Sequence, residues 1–411
     1  MKKFLTALAL VAALAPLASP ARPLTFDGAL AQARANAPSL KAKTLGVEAA
    51  QVGADAAGRL PDPKASVALE SFPISGPLAF KPSQDNFTWA KFGFSQEFPN
   101  LAKRHAQQGR AQSDIATAKA ESVVAARSVE VSAALAWINL AYAERRLAAL
   151  DRVAAHLSDY VGASLSAVAS GQARPAQVLA GRQALADLAD RRSERVAEIG
   201  RVRAELTRWT GDADPQIAGP LPAFVVDAEQ LRTGIELHPI AGAAAAQANQ
   251  ADANAALALA DKRPDFGVDI AYQRRDPRFG DYVSAGVTVT LPIFAKHRQE
   301  PMIAAASSRA FAARAEQDAT RQALSAELDA GIADHVMHHD QWLRARDTLQ
   351  PLAEQRIALE SASYGAGRAS LLDLVDAHVA LANAILTTID REAAVAIDAA
   401  RLTLTFRSSE Q

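Results

Sequence analysis

Two aspartates near the C-terminus, Asp373 and Asp376, are the first residues whose type and spacing indicate chemistry. Three positions apart in a helix, they share one face, and carboxylates grouped in this way attract cations and repel anions. A structural interpretation stays open beside this one. Gly365 and Gly367 predict a break in the chain, after which a helix begins near Arg368. Acidic side chains in the first turn of a helix stabilise its dipole.

A histidine group in the second half of the chain is a candidate for metal binding. His335 and His339 are four residues apart, which is a spacing that metal ligands use on a helix, and His338 lies between them. The segment reads His-Val-Met-His-His and lacks the glutamate of an HExxH motif, so it does not support a metalloprotease. A solvated polar surface is the favoured interpretation, and we predict no metal site, with His335 and His339 as the only candidates.

Other catalytic patterns are missing from the sequence. It contains no phosphate-cradling loop and no serine nucleophile elbow, so we predict neither an enzyme nor a cofactor. The absence of cysteine excludes disulfides, a thiol nucleophile and a lipid anchored on an N-terminal cysteine. A formal net charge of −1 argues against nucleic acid as the main partner.

The N-terminus has the pattern of a secretory signal. Lys2 and Lys3 precede an apolar stretch from Phe4 to Leu17, and the small residues Ser19 and Ala21 predict cleavage after Ala21. Residues 1–21 are therefore the predicted signal peptide. Beyond them we expect no stretch of about 18 apolar residues and hence no membrane-spanning helix.

The remaining chain contains an internal repeat. Similar residues recur in the same order about 200 positions apart, and the pairs are Pro63 with Pro264, Pro99 with Pro292, and Gly171 with Gly367. We therefore divide the chain into two structural repeats, residues 22–220 and 221–411. Each repeat is predicted to run helix, β-hairpin, long helix, glycine-containing break and helix.

Long helices dominate the prediction. Residues 110–161 contain neither proline nor glycine and would form a helix of about 78 Å. Its counterpart runs from Pro301 towards Tyr364, and Pro351 should kink or locally unwind it. Further helices are predicted at 24–58, 173–209, 227–260 and 368–406.

Four short segments alternate between apolar and small or polar residues, as strands with one apolar face do. They lie around Ala65–Leu69, Ala90–Phe94, Phe266–Tyr272 and Val283–Leu291. The alternation is typical of a membrane β-strand, and also of a water-facing sheet packed on helices. Four strands cannot close a barrel in lipid, where unpaired edges are not viable. Three copies would supply twelve strands, enough for a channel.

The segments Arg-Ala-Glu-Leu-Thr-Arg-Trp-Thr-Gly from Arg203 and Ser-Tyr-Gly-Ala-Gly-Arg-Ala-Ser-Leu-Leu-Asp-Leu-Val-Asp-Ala from Ser363 carry a family resemblance. Together with the doubled layout and the signal sequence, they resemble the TolC-type outer-membrane efflux family. The resemblance implies a fold that is mainly α with membrane β. In it, four strands per chain join a shared twelve-stranded trimeric β-barrel, above a long α-helical barrel in the periplasm.

The resemblance also implies partners and a site. The partners are a periplasmic adaptor of the membrane-fusion kind, an inner-membrane pump, expected to be of the resistance–nodulation–division kind, and outer-membrane lipid. Asp373, Asp376 and Tyr364 match residues at the periplasmic gate, and Gly171, Gly365 and Gly367 match turns at the helix tips. Where the family often has a basic residue two positions after the glycine, this chain has Ala369.

The function implied is that of a passive exit duct in the outer membrane of a Gram-negative bacterium, for drugs or heavy-metal cations delivered by the pump. A protein-export duct of an ABC-driven type I secretion system is the alternative within this class. A soluble periplasmic coiled-coil scaffold is the alternative outside it.

Overall fold

The structure is a computed structural model that describes residues 23–169 and 175–407, without the side chains of 164–167 and 169. The predicted signal peptide and Gly171 lie outside these residues. The helices and strands are α1 Phe26–Asn36, α2 Pro38–Ala54, β1 Lys64–Glu70, β2 Trp89–Phe98, α3 Leu101–Ala169, α4 Pro175–Thr210, α5 Ala228–Thr233, α6 Pro239–Ala260, β3 Asp265–Arg274, β4 Tyr282–Thr290, α7 Gln299–Arg344, α8 Gln350–Gly365 and α9 Leu371–Phe406.

Proline divides the helix that comes before the strands in each half. The predictions of single helices at 24–58 and 227–260 are therefore wrong. The chain is extended at Ala37, with ψ at 115°, and at His238, with ψ at 133°. Each of these residues precedes a proline, Pro38 or Pro239, whose ring disfavours the helical conformation of the residue before it. A new helix then begins at each proline, which needs no amide hydrogen there.

The predicted long helix is longer than its sequence pattern indicated. α3 has 69 residues, or about 104 Å at the usual rise. It begins just after Asn100, whose Oδ1 accepts a hydrogen bond from the Lys103 amide at 2.8 Å and so caps the first turn. Gly109 and Gly162 lie inside the helix, because a glycine costs only about 1 kcal/mol relative to alanine there.

The disturbance predicted at Pro351 is present. A π-helical turn, Ala345–Leu349, separates α7 from α8 just before this proline. The Gln350 amide bonds to the Ala345 carbonyl, five residues back. The wider turn accommodates a residue that has no amide hydrogen and whose ring crowds the carbonyl four positions earlier.

The four predicted strands are confirmed, and they form one antiparallel sheet in the order β1-β2-β3-β4. The central β2–β3 pair joins the two halves of the chain, with Phe92 opposite Tyr272 and Phe94 opposite Ile270. One face is apolar and exposed; Val67, Val283 and Val287 retain 75%, 73% and 72% of their surface. The other face carries small and polar residues, as the alternation predicted, and β1 and β4 are the sheet's two edges.

The chain divides into two compact units. One comprises the described parts of Met1–Ala37, Val129–Val225 and Ala333–Thr403, and the other Pro38–Ser128, Val226–Ile332 and the described part of Leu404–Gln411. In the first unit Trp137 is buried; its Nε1 donates to the Leu24 carbonyl at 2.9 Å, and its ring meets Phe26 edge-on. The second unit contains the sheet.

Two helices in the described residues contain an 18-residue window apolar enough to cross a membrane by length and composition, within Leu101–Ala163 and Leu371–Phe406. Neither helix has 18 consecutive apolar residues, and the expectation of no membrane-spanning helix stays a prediction. Core helices of water-soluble proteins pass the same test, and both helices contribute to the buried clusters of the first unit.

Candidate functional site

The break between α8 and α9 is a complete helix-terminating turn. Gly367 has φ at +71°, a conformation that glycine adopts without strain. Its amide bonds to the Tyr364 carbonyl at 2.9 Å, and the Arg368 amide bonds to the Ser363 carbonyl at 2.9 Å. This pair of bonds defines a Schellman motif. Gly365 is the last residue of α8, so Gly367 rather than Gly365 makes the turn.

Asp373 closes the first turn of α9. Its Oδ2 accepts hydrogen bonds from the amide of Ser370 at 2.9 Å and from the Ser370 hydroxyl at 2.7 Å. The Asp373 amide donates to Ser370 Oγ at 3.3 Å in return. This is a capping box built with aspartate. α9 therefore begins at Leu371, three residues later than the predicted start near Arg368, because Ser370 supplies the cap.

The same contacts lower the pKa of Asp373. The Ser370 hydroxyl and then the Ser370 amide favour the ionised carboxylate, and the Arg356 guanidinium adds a smaller effect in the same direction. This local effect opposes the raised pKa that a ring of neighbouring carboxylates would produce. These direct contacts thus support the structural interpretation, in which Asp373 stabilises the start of α9.

Asp376 is differently placed. Both aspartates are exposed, while Leu374, Val375 and Ala377 between and beside them are buried. Within the described part of the chain, the Asp376 carboxylate has neither a hydrogen bond nor an ion pair. The Asp376 carboxylate can therefore attract a cation from solution.

Tyr364 is half-buried at the end of α8. It packs against an apolar cluster formed by α3, α4 and α9, which includes Leu157, Leu188 and Leu371. Its contacts are those of an aromatic residue that anchors the helix tip. The structure thus brings Tyr364, the two aspartates and the glycine turn into one helix–turn–helix tip.

His378, two residues after Asp376, is a feature that the sequence analysis missed. It is 4% exposed, shares a hydrogen bond of 2.9 Å between Nδ1 and the Leu374 carbonyl, and meets the Tyr160 ring at 5.2 Å. Burial lowers its pKa, and the nearby His156 acts in the same direction. The signal was its position four residues after Leu374, on the buried stripe of the helix.

The histidines of this group make contacts of other kinds. His338 Nδ1 lies 2.6 Å from Asp398 Oδ2, so this histidine is engaged by a carboxylate. The rings of His335 and His339 are 6.4 Å apart, and His339 faces Trp342. The described residues contain no group of three or more His, Cys, Asp or Glu side chains that could hold a metal ion.

Comparison with known proteins adds to this geometry. The family model described as outer membrane efflux protein matches residues 236–405. The cobalt-zinc-cadmium resistance protein CzcC of Cupriavidus metallidurans is 26% identical over 216 residues, which are 51% of this chain and 51% of that protein. The match therefore spans about half the length of this curated relative.

Solved structures share the fold over most of the chain. A membrane protein from Pseudomonas aeruginosa matches with a TM-score of 0.80 at 17% identity, covering 93% of this chain and 90% of that one. The outer membrane channel MtrE of Neisseria gonorrhoeae matches with a TM-score of 0.75 at 16% identity, covering 93% and 88%. At these identities the likeness establishes the fold.

Proposed function

We propose that this chain is a member of the TolC-type outer-membrane efflux protein family and that it is the outer-membrane duct of a tripartite exporter. In this proposal an inner-membrane pump, of the resistance–nodulation–division kind, and a periplasmic adaptor deliver small solutes to it. Passage through the duct itself is passive. Residues 22–220 and 221–411 are the two structural repeats of the duct, following a signal peptide at 1–21.

The observation that carries the proposal is the sheet with an exposed apolar face and two edges. An apolar surface of this kind promotes aggregation in water, whereas in lipid it is the expected outer face of a barrel. Lipid does not tolerate the edges of β1 and β4, because their backbone groups would lack partners there. Three copies remove all edges by closing a twelve-stranded barrel.

Two observations support a proposal for the cargo: the charge of the helix tip and the similarity to a metal-resistance protein. The exposed carboxylates at the α8–α9 tip favour cations, and the similarity to a cobalt-zinc-cadmium resistance protein supports heavy-metal cations ahead of drugs. We assign the tip, with Asp376, Asp373, Tyr364 and the turn at Gly367, to the periplasmic entrance. Asp376 supplies the charge that faces the solute, and Asp373 holds the helix start.

The decisive experiment is purification of the mature protein followed by reconstitution. We expect it to require detergent, to have the mass of three copies, and to form conducting channels in planar bilayers. A protein that stays soluble without detergent and runs as a monomer would contradict the proposal. Loading cobalt or zinc on one side and measuring reversal potentials then tests the preference for cations.

A further inference from the structure

A groove of about 370 Å³ opens at the end of the sheet, where β2 leads into α3 and α6 leads into β3. Four exposed apolar side chains line it: Leu60, Phe98, Leu101 and Phe266. Phe98 and Phe266 are register partners at the end of the β2–β3 ladder, and they belong to the apolar face of the sheet. The groove therefore continues the surface that the proposed function assigns to lipid.

Two arginines stand beside these apolar walls. Arg104 Nε donates to the Gly58 carbonyl at 2.7 Å, which fixes the side chain. Within the described residues its two terminal nitrogens make no hydrogen bond or ion pair. The Arg263 side chain makes no hydrogen bond or ion pair within residues 23–169 and 175–407. None of the residues that line the groove is an aspartate or glutamate. The lining of this groove thus presents two guanidinium groups and no carboxylate, and Arg263 forms the border with the neighbouring groove.

We propose that this groove binds a membrane phospholipid, with the phosphate on Arg104 and Arg263 and the first part of an acyl chain on the apolar walls. Guanidinium groups bind phosphate oxygens through charge-assisted hydrogen bonds. A free phosphate would leave the apolar walls unused. A second copy of the chain would pair through β1 or β4, whereas the groove lies at the two central strands. The proposal rests on the proposed function, since it requires a membrane.

A second groove at the same end of the sheet shows the contrast. It shares Arg263 with the first groove and is also lined by Arg298 and Lys103, together with Asp261, Asp265 and Thr290. Lys103 forms ion pairs with both of these carboxylates, at 2.9 and 3.4 Å. Asp265 and Thr290 are register partners on the polar face of the sheet. Arg298 lines only this second groove, so it offers a matched control for Arg263.

The test is native mass spectrometry of the full-length protein in detergent, titrated with dioctanoyl phosphatidylglycerol. We expect saturable binding of one lipid per chain. Arg263→Gln should weaken it about tenfold, since a charge-assisted contact is lost, and Arg263→Lys should recover part of the loss. Arg298→Gln, which removes the same group on the polar side, should change the affinity by less than about twofold. Dioctanoylglycerol, which has no phosphate, and inorganic phosphate should each bind at least about tenfold more weakly.

Several outcomes would overturn the assignment. These are no saturable binding, equal losses in the Arg263→Gln and Arg298→Gln variants, or inorganic phosphate binding as tightly as the lipid. Bilayer conductance of the same preparations separates the two proposals. A wild-type protein that conducts but binds no lipid removes the lipid site alone, and one that never conducts removes the proposed function.

Discussion

Asp373 and Asp376 share a helix face but differ in their contacts. Asp373 is bound to Ser370 through three hydrogen bonds, whereas Asp376 has no such engagement in the described part of the chain. A charge that already neutralises a helix start attracts a mobile cation less than one that faces solvent alone. We therefore attribute the electrostatics of the proposed periplasmic entrance mainly to Asp376.

Asp376→Asn is expected to raise the concentration of divalent cation needed for half-block of single channels about tenfold, because the proposed trimer would lose a whole ring of charges. Leak conductance should rise as well. Asp190→Asn removes an exposed aspartate on α4 and serves as the control. Identical block curves for the Asp376 and Asp190 variants would remove Asp376 from the entrance.

His378 makes the packing under the entrance sensitive to acid. Its pKa is lowered below the ordinary 6.5 by burial, so the unfolded chain binds the proton more readily than the folded one. Stability contributed at this site is therefore complete above pH 6.5 and declines as the pH falls below it, by at most about 1.4 kcal/mol per pH unit for each copy.

Hydrogen exchange of α9 measures this effect. Between pH 7.5 and 5.5, after correction for intrinsic rates, the segment around His378 should lose protection in the wild type. His378→Leu should abolish the pH dependence, while His339→Leu, at a half-exposed position, should leave it in place. Unchanged wild-type protection over this range would show that His378 stays neutral without cost.

At the scale of elements, the joint between α2 and α3 depends on one glycine. Gly58 is buried with φ at +69°, and a Cβ there would lie 2.5 Å from the Arg104 carbonyl oxygen and 2.9 Å from Gln108 Cγ. A backbone atom cannot move aside as a flexible side chain can. The joint thus combines a left-handed backbone with a close approach between helices.

Gly58→Ala is therefore expected to destabilise the protein by about 2 kcal/mol or more. Gly53→Ala, in α2 with no neighbouring atom within 4 Å, is the matched control and should be neutral or stabilising by up to about 1 kcal/mol. Thermal unfolding of the purified assembly compares the two. Equal melting temperatures would mean that the joint relaxes at little cost.

Most of the elements were predictable, and their contacts were not. The strands follow from period-two alternation, and the π turn follows from Pro351. The breaks at Ala37 and His238 were not predicted, although proline disfavours the helical conformation of the residue before it and both prolines are visible in the sequence. The capping role of Asp373 was foreseen as one alternative. The sequence could not show that Arg104 and Arg263 line the same groove. The two residues are far apart in sequence, and the β2–β3 ladder brings their segments together.

At the scale of the whole molecule, the edges of the sheet make a direct prediction. β1 and β4 of one chain are separated by β2 and β3, so their backbones lie about 14 Å apart. A disulfide requires Cα atoms within about 7 Å. Because the natural chain has no cysteine, introduced cysteines report only on contacts between copies.

A variant with one cysteine at Ala68 in β1 and one at Ser284, Gly286 or Thr288 in β4 should oxidise to covalent dimers and trimers and no larger species. Either cysteine alone should give no trimer. Denaturing electrophoresis of oxidised membranes reads out the ladder. Tetramers or longer ladders would show that the sheet extends without closing at three copies.

The β2–β3 ladder also determines when, during synthesis and export, the first hairpin can pair with its neighbouring strand. Its register joins Phe98 to Phe266, so the first hairpin waits for most of the chain to leave the inner membrane before it finds its permanent neighbour. A lone hairpin is only marginally stable in water, and its unsatisfied edge invites aggregation. We therefore expect the biogenesis of this protein to depend on periplasmic holding chaperones, so that depleting them reduces its yield sooner than that of exported proteins whose strand partners are adjacent in sequence.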